Sequence, residues 1–227
     1  NYTIYKVTLT DEDLDSFYMS SVTSVKDQTS GGNCWAFALL ATLESAILKA
    51  NGDAVDLSEG NMKNLASVYS HYGWSMSTNE GGYGDIGIGY LVSWLGPILE
   101  KDDQYNPSNT LSPVLDSILH IQNMIGLKRS GYEDLTDIKK AIRDYGAVYS
   151  TIYMFASYNS QIGEYAQCYR GSSPANHAVA LVGWDDDFYI PGAPGKGAWI
   201  AKNSWGESWG NYGYFYLSYY DSSCPKI

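Results

Sequence analysis

The sequence lacks most of what would mark a membrane, metal or nucleic-acid protein. No apolar run approaches the ~18 residues needed to span a bilayer. Basic residues are scarce, 14 Lys and Arg against 25 Asp and Glu, and the net charge of −11 argues against nucleic acid and anionic membranes as partners. It mildly favours basic polypeptides and keeps a chain soluble in an exposed environment. There is no Cys-x-x-Cys and no His-x-x-x-His, so neither a zinc site nor any other metal or cofactor is expected. Cysteine is limited to Cys34, Cys168 and Cys224, and an odd count leaves one free thiol. Cys168 and Cys224 could pair, which would imply an oxidising compartment. No basic-then-apolar signal opens the sequence, and Asn1-Tyr2-Thr3 does not read as a native start, so a processed or trimmed piece of a longer chain is expected.

What is present is enough for one sizeable domain with a proper core: 227 residues, 44% apolar and 17% charged, with 21 Tyr and 7 Trp to furnish an aromatic surface or cleft. The stretch from Gln28 to Leu40 organises the rest. A polar, glycine-containing loop delivers Cys34, and apolar residues then recur at Ala36, Leu39, Leu40, Leu43 and Ile47, a helical spacing. Thr42, Glu44, Ser45 and Lys49 fall on the other side, and Asn51-Gly52 can close the helix. Cys34 therefore starts a long, half-buried helix. The unpaired N–H groups there favour an anion, and a thiol so placed ionises more readily.

Before this helix the chain is polar and extended, with a short acidic run at Asp11-Glu12-Asp13. After it, Ser58 caps a second helix over 61–69, residues 73–89 are loop-like, and 89–99 is helical. Residues 101–113 read as a connection, 114–124 fit a strand or a short helix, and 134–145 form a helix ended by Gly146. From Ala147 the texture turns to strands, at 147–153, 178–182, 198–202 and 212–219. Of three histidines, only His177 is followed by a strong strand, and Asn203 closes another. A helix-start thiol, a strand-start imidazole and a strand-end amide are what thiol acyl transfer needs: a nucleophile, an acid that protonates the leaving group, and a group that fixes the ring.

Taken in order, Val25-Lys26-Asp27-Gln28, Asn33-Cys34-Trp35-Ala36-Phe37, Leu57-Ser58-Glu59, Gly81-Gly82-Tyr83, Asn176-His177-Ala178-Val179 and Lys202-Asn203-Ser204-Trp205-Gly206, with Trp209-Gly210 and Gly213-Tyr214, resemble the papain-like cysteine peptidases. The blocks span roughly residues 20–217. Cys34 to His177 is 143 positions, within the ~130–150 of that family. The resemblance implies an α+β, two-lobed fold, with a helical lobe packed on an antiparallel β-barrel-like lobe and the active site in the cleft between them. One catalytic domain is expected over 1–227: an N-terminal segment 1–19, a mainly helical lobe over about 20–125 and a mainly β lobe over about 126–227.

By motif, Cys34 would be the nucleophile, His177 its acid/base partner, Asn203 the residue that orients His177, and Trp205 a shield over that bond. Gln28 and the Cys34 N–H would hold the oxyanion, and the resting pair would be thiolate and imidazolium. Gly81 and Gly82 would bond an extended substrate backbone. Tyr83, Asn176 and Ala178 would border the substrate cleft, with Tyr83 and Ala178 walling the pocket for the second residue before the cut, and Trp209 would line the leaving-group side. Gly31 stands where most relatives have a cysteine, and the partner position near Asn79 is not cysteine either, so other contacts must hold that loop. Gly32-Asn33 replaces the usual Gly-Ser before the nucleophile, and Asn176 an Asp, which implies a modestly shifted pH profile. A family disulfide joins roughly the regions of Cys168 and Cys224, so that bridge is expected. The implied function is an endopeptidase acting through an acyl-enzyme on polypeptide substrates, a monomer, secreted or at the cell surface, restrained in its precursor by an inhibitory pro-segment, with no nucleic-acid partner and no membrane insertion. A cytoplasmic aminopeptidase relative is the competing placement. A transpeptidase or cell-wall amidase using the same site, or a silent peptide-binding module, are the other classes.

Overall fold

A computed structural model describes residues 14–224; the acidic run 11–13 lies outside them. Helix α1 runs Cys34–Asn51 and ends where Gly52 takes φ 78° and returns its N–H to Leu48 O, a left-handed cap that glycine adopts without strain. Helix α2, Glu59–Leu65, starts two residues earlier than the pattern suggests, with Ser58 Oγ accepting from the Asn61 N–H. Helix α3 occupies Gly84–Val92, ahead of the expected segment, and α4 occupies Thr136–Asp144. Residues 114–124 form neither strand nor helix.

The strands are β1 Ser16–Tyr18, β2 Val148–Ile152, β3 Ser157–Asn159, β4 Glu164–Gln167, β5 His177–Asp185, β6 Ala198–Lys202 and β7 Tyr214–Ser218. They form one seven-stranded sheet in the order β1-β5-β6-β7-β4-β3, with β2 also paired to β5. The sheet is mixed, because β4 runs parallel to β7 while the other pairs are antiparallel. Strand β5 is its centre. It is buried over His177–Trp184, which explains its unbroken apolar run.

Two apolar clusters define the lobes. Trp35, Leu39 and Leu40 of α1 pack with Leu57, Met62, Leu65, Tyr90 and Leu91. Ile138 and Ile142 of α4 pack under the sheet with Val179, Leu181, Trp199, Phe215 and Leu217. Between them α1 lies directly against β5. The side of α1 that looked solvent-facing is buried at that contact: Glu44 is 0% exposed and Ser45 1%. Ser45 Oγ accepts from the Ala147 N–H and donates to Ser21 O, pinning the helix to both neighbouring segments. Glu44 joins a buried ionic cluster. Lys26 Nζ donates to Glu44 Oε1 and Glu59 Oε1, each at 2.9 Å, and to Leu57 O at 2.8 Å, and pairs with the exposed Asp56. Burial pushes the Glu59 carboxyl up to about 8 against the pull of Lys26.

The expected Cys168–Cys224 disulfide is absent, and all three cysteines are free thiols. The two sulfurs sit on opposite faces of β7. Cys224 packs with Phe215 and Leu217, its Sγ 3.6 Å from Ser150 Oγ. Cys168 packs beside Tyr216 and interacts with Ser218 on the other face. Denaturing the unreduced protein with a thiol reagent present should therefore release three thiols. Lys26→Ala, which strands two buried carboxylates, should lower unfolding stability by ~3–5 kcal/mol, measured by denaturant titration. Asp56→Asn, at an exposed pair, should cost under ~1 kcal/mol.

Candidate active site

The loop before α1 sets the chemistry of Cys34. Asn33 precedes the helix but makes no side-chain cap to it. Its amide instead donates to Thr78 O at 2.6 Å and accepts from Tyr105 Oη at 2.9 Å. Its carbonyl takes the N–H groups of Ala36 and Phe37. The N–H groups of Cys34 and Trp35 are thus free of any cap, and both favour the ionised form of the Cys34 thiol, as does the N–H of Ala178. Burial acts the other way and is the larger effect, pushing the thiol up.

That influence of Ala178 places the start of β5 against Cys34. His177 is the first residue of β5, paired with Ile152 of β2. Its Nε2 lies 2.7 Å from Asn203 Oδ1. The Ser204 N–H donates to the same Oδ1 at 2.9 Å, which fixes the amide orientation. Oδ1 is an acceptor, so Nε2 carries the ring proton and Nδ1 is left for exchange. Burial pulls the imidazole down to about 4, opposed by the Asn203 bond. Each group on its own therefore favours the neutral form in this dry site. The thiolate–imidazolium pair that the resemblance implies would have to draw on the mutual attraction of the two charges as well as on the three N–H groups around the sulfur. Trp205 covers the ring, with centroids 4.8 Å apart.

Gln28 comes to the same place by backbone pairing across the lobes. Its N–H donates to Ser204 O at 2.8 Å, Asp27 bridges Trp205, and the Gly206 N–H donates to Lys26 O. The buried Gln28 amide is held at both ends: Nε2 donates to Gly31 O at 2.7 Å, and Oε1 accepts from Ser204 Oγ at 2.6 Å. That leaves one Nε2 proton without a partner among the described residues.

The other predicted residues divide. Gly81 adopts φ 93°, and a Cβ on Gly82 would come within 2.5 Å of Trp35 Nε1, so both positions demand glycine beside the nucleophile's loop. Tyr83, which precedes α3, is 77% exposed. Ala178 is nearly buried and offers the cleft little beyond its backbone. The Asn176 side chain accepts from the Met154 N–H and is occupied in shaping the turn into β5. Trp209 stands edge-on to Trp205 at 4.9 Å. His71 and His120 lie against Tyr72 and Trp94 instead.

Tyr105 is the residue that sequence reasoning missed. A Cβ on Gly31 would lie 3.3 Å from Asn79 Oδ1, so those two positions do face each other, and a Cβ there would also strike Tyr105 Oη at 2.6 Å. Tyr105 Oη donates in the space between them, within reach of Gln28 O at 2.8 Å and Asn33 Oδ1, and its ring meets Phe37 edge-on. The Gly32 N–H to Asn79 O bond completes the brace. Nothing local in the sequence signals this, because Tyr105 lies in a connection without periodicity. Tyr105→Phe should cost ~1–3 kcal/mol through the stranded Asn33 oxygen and speed hydrogen exchange in the 28–33 loop, read by denaturation and exchange mass spectrometry.

The family description "Papain family cysteine protease" matches residues 11–226. Thiol protease aleurain of Arabidopsis thaliana is 29% identical over 207 residues, 89% of this chain and 54% of the relative. The chain thus spans about half the length of the curated relatives it matches. Among solved structures, the cysteine protease and lectin-like domains of Cwp84, a surface layer associated protein of Clostridium difficile, superpose with TM-score 0.79 and 28% identity, covering 97% of this chain and 51% of that one. The bromelain protease of Ananas comosus, solved with the E64 inhibitor, superposes with TM-score 0.69 and 25% identity, covering 92% of each chain. With its helical and β lobes, the Cys34–His177–Asn203 arrangement and a family match over nearly its whole length, the chain belongs to the papain family of cysteine proteases.

Proposed function

We propose that this chain is a cysteine endopeptidase that hydrolyses peptide bonds of polypeptides through a thioester on Cys34. The observation that carries the reading is the His177 ring, held through Nε2 by Asn203 with Nδ1 left free, beside a thiol at an uncapped helix start. The Cys34 thiolate attacks the scissile carbonyl carbon. The resulting oxyanion is received by the Cys34 N–H and the remaining Gln28 Nε2 proton. Imidazolium His177 gives its proton to the departing amine, and the C–N bond breaks. A water then gives a proton to His177 and attacks the thioester, and the proton returns to release Cys34. Gly81 and Gly82 offer close-approach backbone to an extended substrate, with Tyr83 at its edge.

The division into a helical lobe to about 125 and a β lobe beyond is supported by α1–α3 clustering apart from the sheet, whereas the expected segment 1–19 lies, up to residue 13, outside the described residues and then sends β1 into the sheet. No helix among the described residues is long and apolar enough to cross a membrane. A relative described as surface layer associated supports action on secreted or cell-surface proteins. Relatives solved as a proform, or after propeptide cleavage, support a precursor restrained by a pro-segment.

An epoxide inhibitor of the E64 type should add once, at Cys34, by intact mass and peptide mapping. His177→Ala should abolish that labelling. Gln28→Ala should retain labelling but lower kcat for a peptide substrate by ~10²–10³-fold, the usual effect of losing one oxyanion donor. An unlabelled wild-type protein would overturn the reading. Products joined to an added amine would shift it to transpeptidation.

A further inference from the structure

Strand β2 presents two different faces. Val148, Ser150 and Ile152 are buried, and Val148 and Ile152 belong to the core under the sheet. Tyr149 and Thr151 are half-buried and point the other way. The Tyr149 ring packs against the cluster of Trp35, Leu39 and Met62, so it crosses from the β lobe to the helical lobe. In the pairing of β2 with β5, Thr151 stands opposite Ala178 and Tyr149 opposite Ala180. Directly opposed residues share a face of the sheet. Tyr149 therefore belongs to the next pair along the face that carries Ala178.

The ring reaches Gly84. A Cβ on Gly84 would lie 3.0 Å from one ring-edge carbon, 3.1 Å from Cζ and 3.2 Å from the hydroxyl. Gly84 is the first residue of α3 and follows Tyr83, the exposed residue expected to wall the pocket opposite Ala178. It is not one of the glycines with a left-handed backbone, so the main chain does not require glycine there. Glycine costs backbone entropy on folding. Room for the ring accounts for its presence. The Tyr149 hydroxyl is shut off from water. Burial keeps it protonated, and charge on Cys34 and on Asp85 acts in the same sense, so it lies within electrostatic reach of the nucleophile. Beside Cys34, the space that a side chain at position 84 would border is thus filled from the other lobe.

We infer that the Tyr149 ring floors the pocket for the second residue before the cut bond and confines that residue to a short side chain: glycine, alanine or serine. The inference rests on the peptidase reading and adds the substrate class. Gly84 alone would deepen the pocket, and the ring takes that depth back. A leucine or phenylalanine would have to displace a ring packed between two lobes, and close-packed interiors resist such insertion.

The test uses peptidyl coumarin amides that differ only at the second residue before the cut, with Ala, Leu or Phe there. In the wild-type protein kcat/KM should favour Ala over Leu by about tenfold or more, and over Phe by more again, the range a pocket achieves for a difference of a methylene upwards. Tyr149→Ala should reverse the order, with Leu and Phe preferred. Tyr149→Phe keeps the ring and should keep the wild-type order. Because the readout is a ratio, a general loss of activity in a variant does not alter it. The wild-type order needs no substitution, and Tyr149→Leu repeats the comparison if truncation to alanine unfolds the chain. A wild-type preference for Leu or Phe overturns the inference. So does a preference for Ala that survives removal of the ring, which is the result expected if Tyr149 only packs the lobes together. Turnover without any preference rejects the floor and leaves the peptidase reading standing. Turnover of none of the peptides rejects the peptidase reading, and the inference with it.

Discussion

The site depends on one short antiparallel contact, where residues 26–28 run against 204–206. Two backbone hydrogen bonds, which together make the Asp27–Trp205 bridge, tie the chain entering the helical lobe to the end of β6. Alternate side chains then do different things. Lys26 turns inward to neutralise Glu44 and Glu59, Asp27 faces out beside Gly206, and Gln28 turns into the cleft to be clamped by Ser204. On the other strand Asn203 holds His177 and Trp205 covers it. Loosening this pairing would disturb the nucleophile's loop, the ring that serves it and the buried charge cluster together.

Burial gives the site its character and sets its difficulty. Desolvation acts against charge on both Cys34 and His177. The counterweight is local and directional: N–H groups left free because Asn33 spends its side chain on Thr78 and Tyr105. With that side chain turned away from the helix, the first-turn N–H groups remain directed at the sulfur. The same logic explains Gln28, whose amide is fixed before any substrate arrives, so that little reorganisation remains for the reaction.

The chain also shows how a missing covalent staple is replaced. Gly31 and Asn79 face each other, but Tyr105, from a distant connection, supplies hydrogen bonds to the loop from between them. The brace is reversible and needs no oxidant, consistent with a molecule whose three thiols are all free. On the opposite flank, aromatic residues that would ordinarily belong to a core run outward to the exposed Tyr158. The site is thus bordered by two unlike structures: a hydrogen-bonded brace at Tyr105, and a row of rings that runs from Trp205 out to Tyr158.

Local elements were legible wherever neighbours in sequence decide the structure. The 3.6-residue spacing after Cys34, the Gly52 cap and the Ser58 cap each act within a turn or two, and the apolar run of β5 reports a strand buried on both faces. The ordered blocks around Cys34, His177 and Asn203 likewise carried the family. Strands β1, β3 and β4 were not legible, because three or four residues are too few to show a period and their pairing partners lie far along the chain. Glu44 looked solvent-facing because periodicity reveals one apolar face and cannot reveal that the opposite face meets a second lobe. Cys168 and Cys224 looked like partners because a family disulfide joins roughly their regions, and that resemblance does not say on which face of β7 each side chain falls. The sequence by itself determined the elements and the chemical cast. Only the tertiary structure decided which side chains meet, because those contacts join residues tens of positions apart through directions that no local pattern encodes.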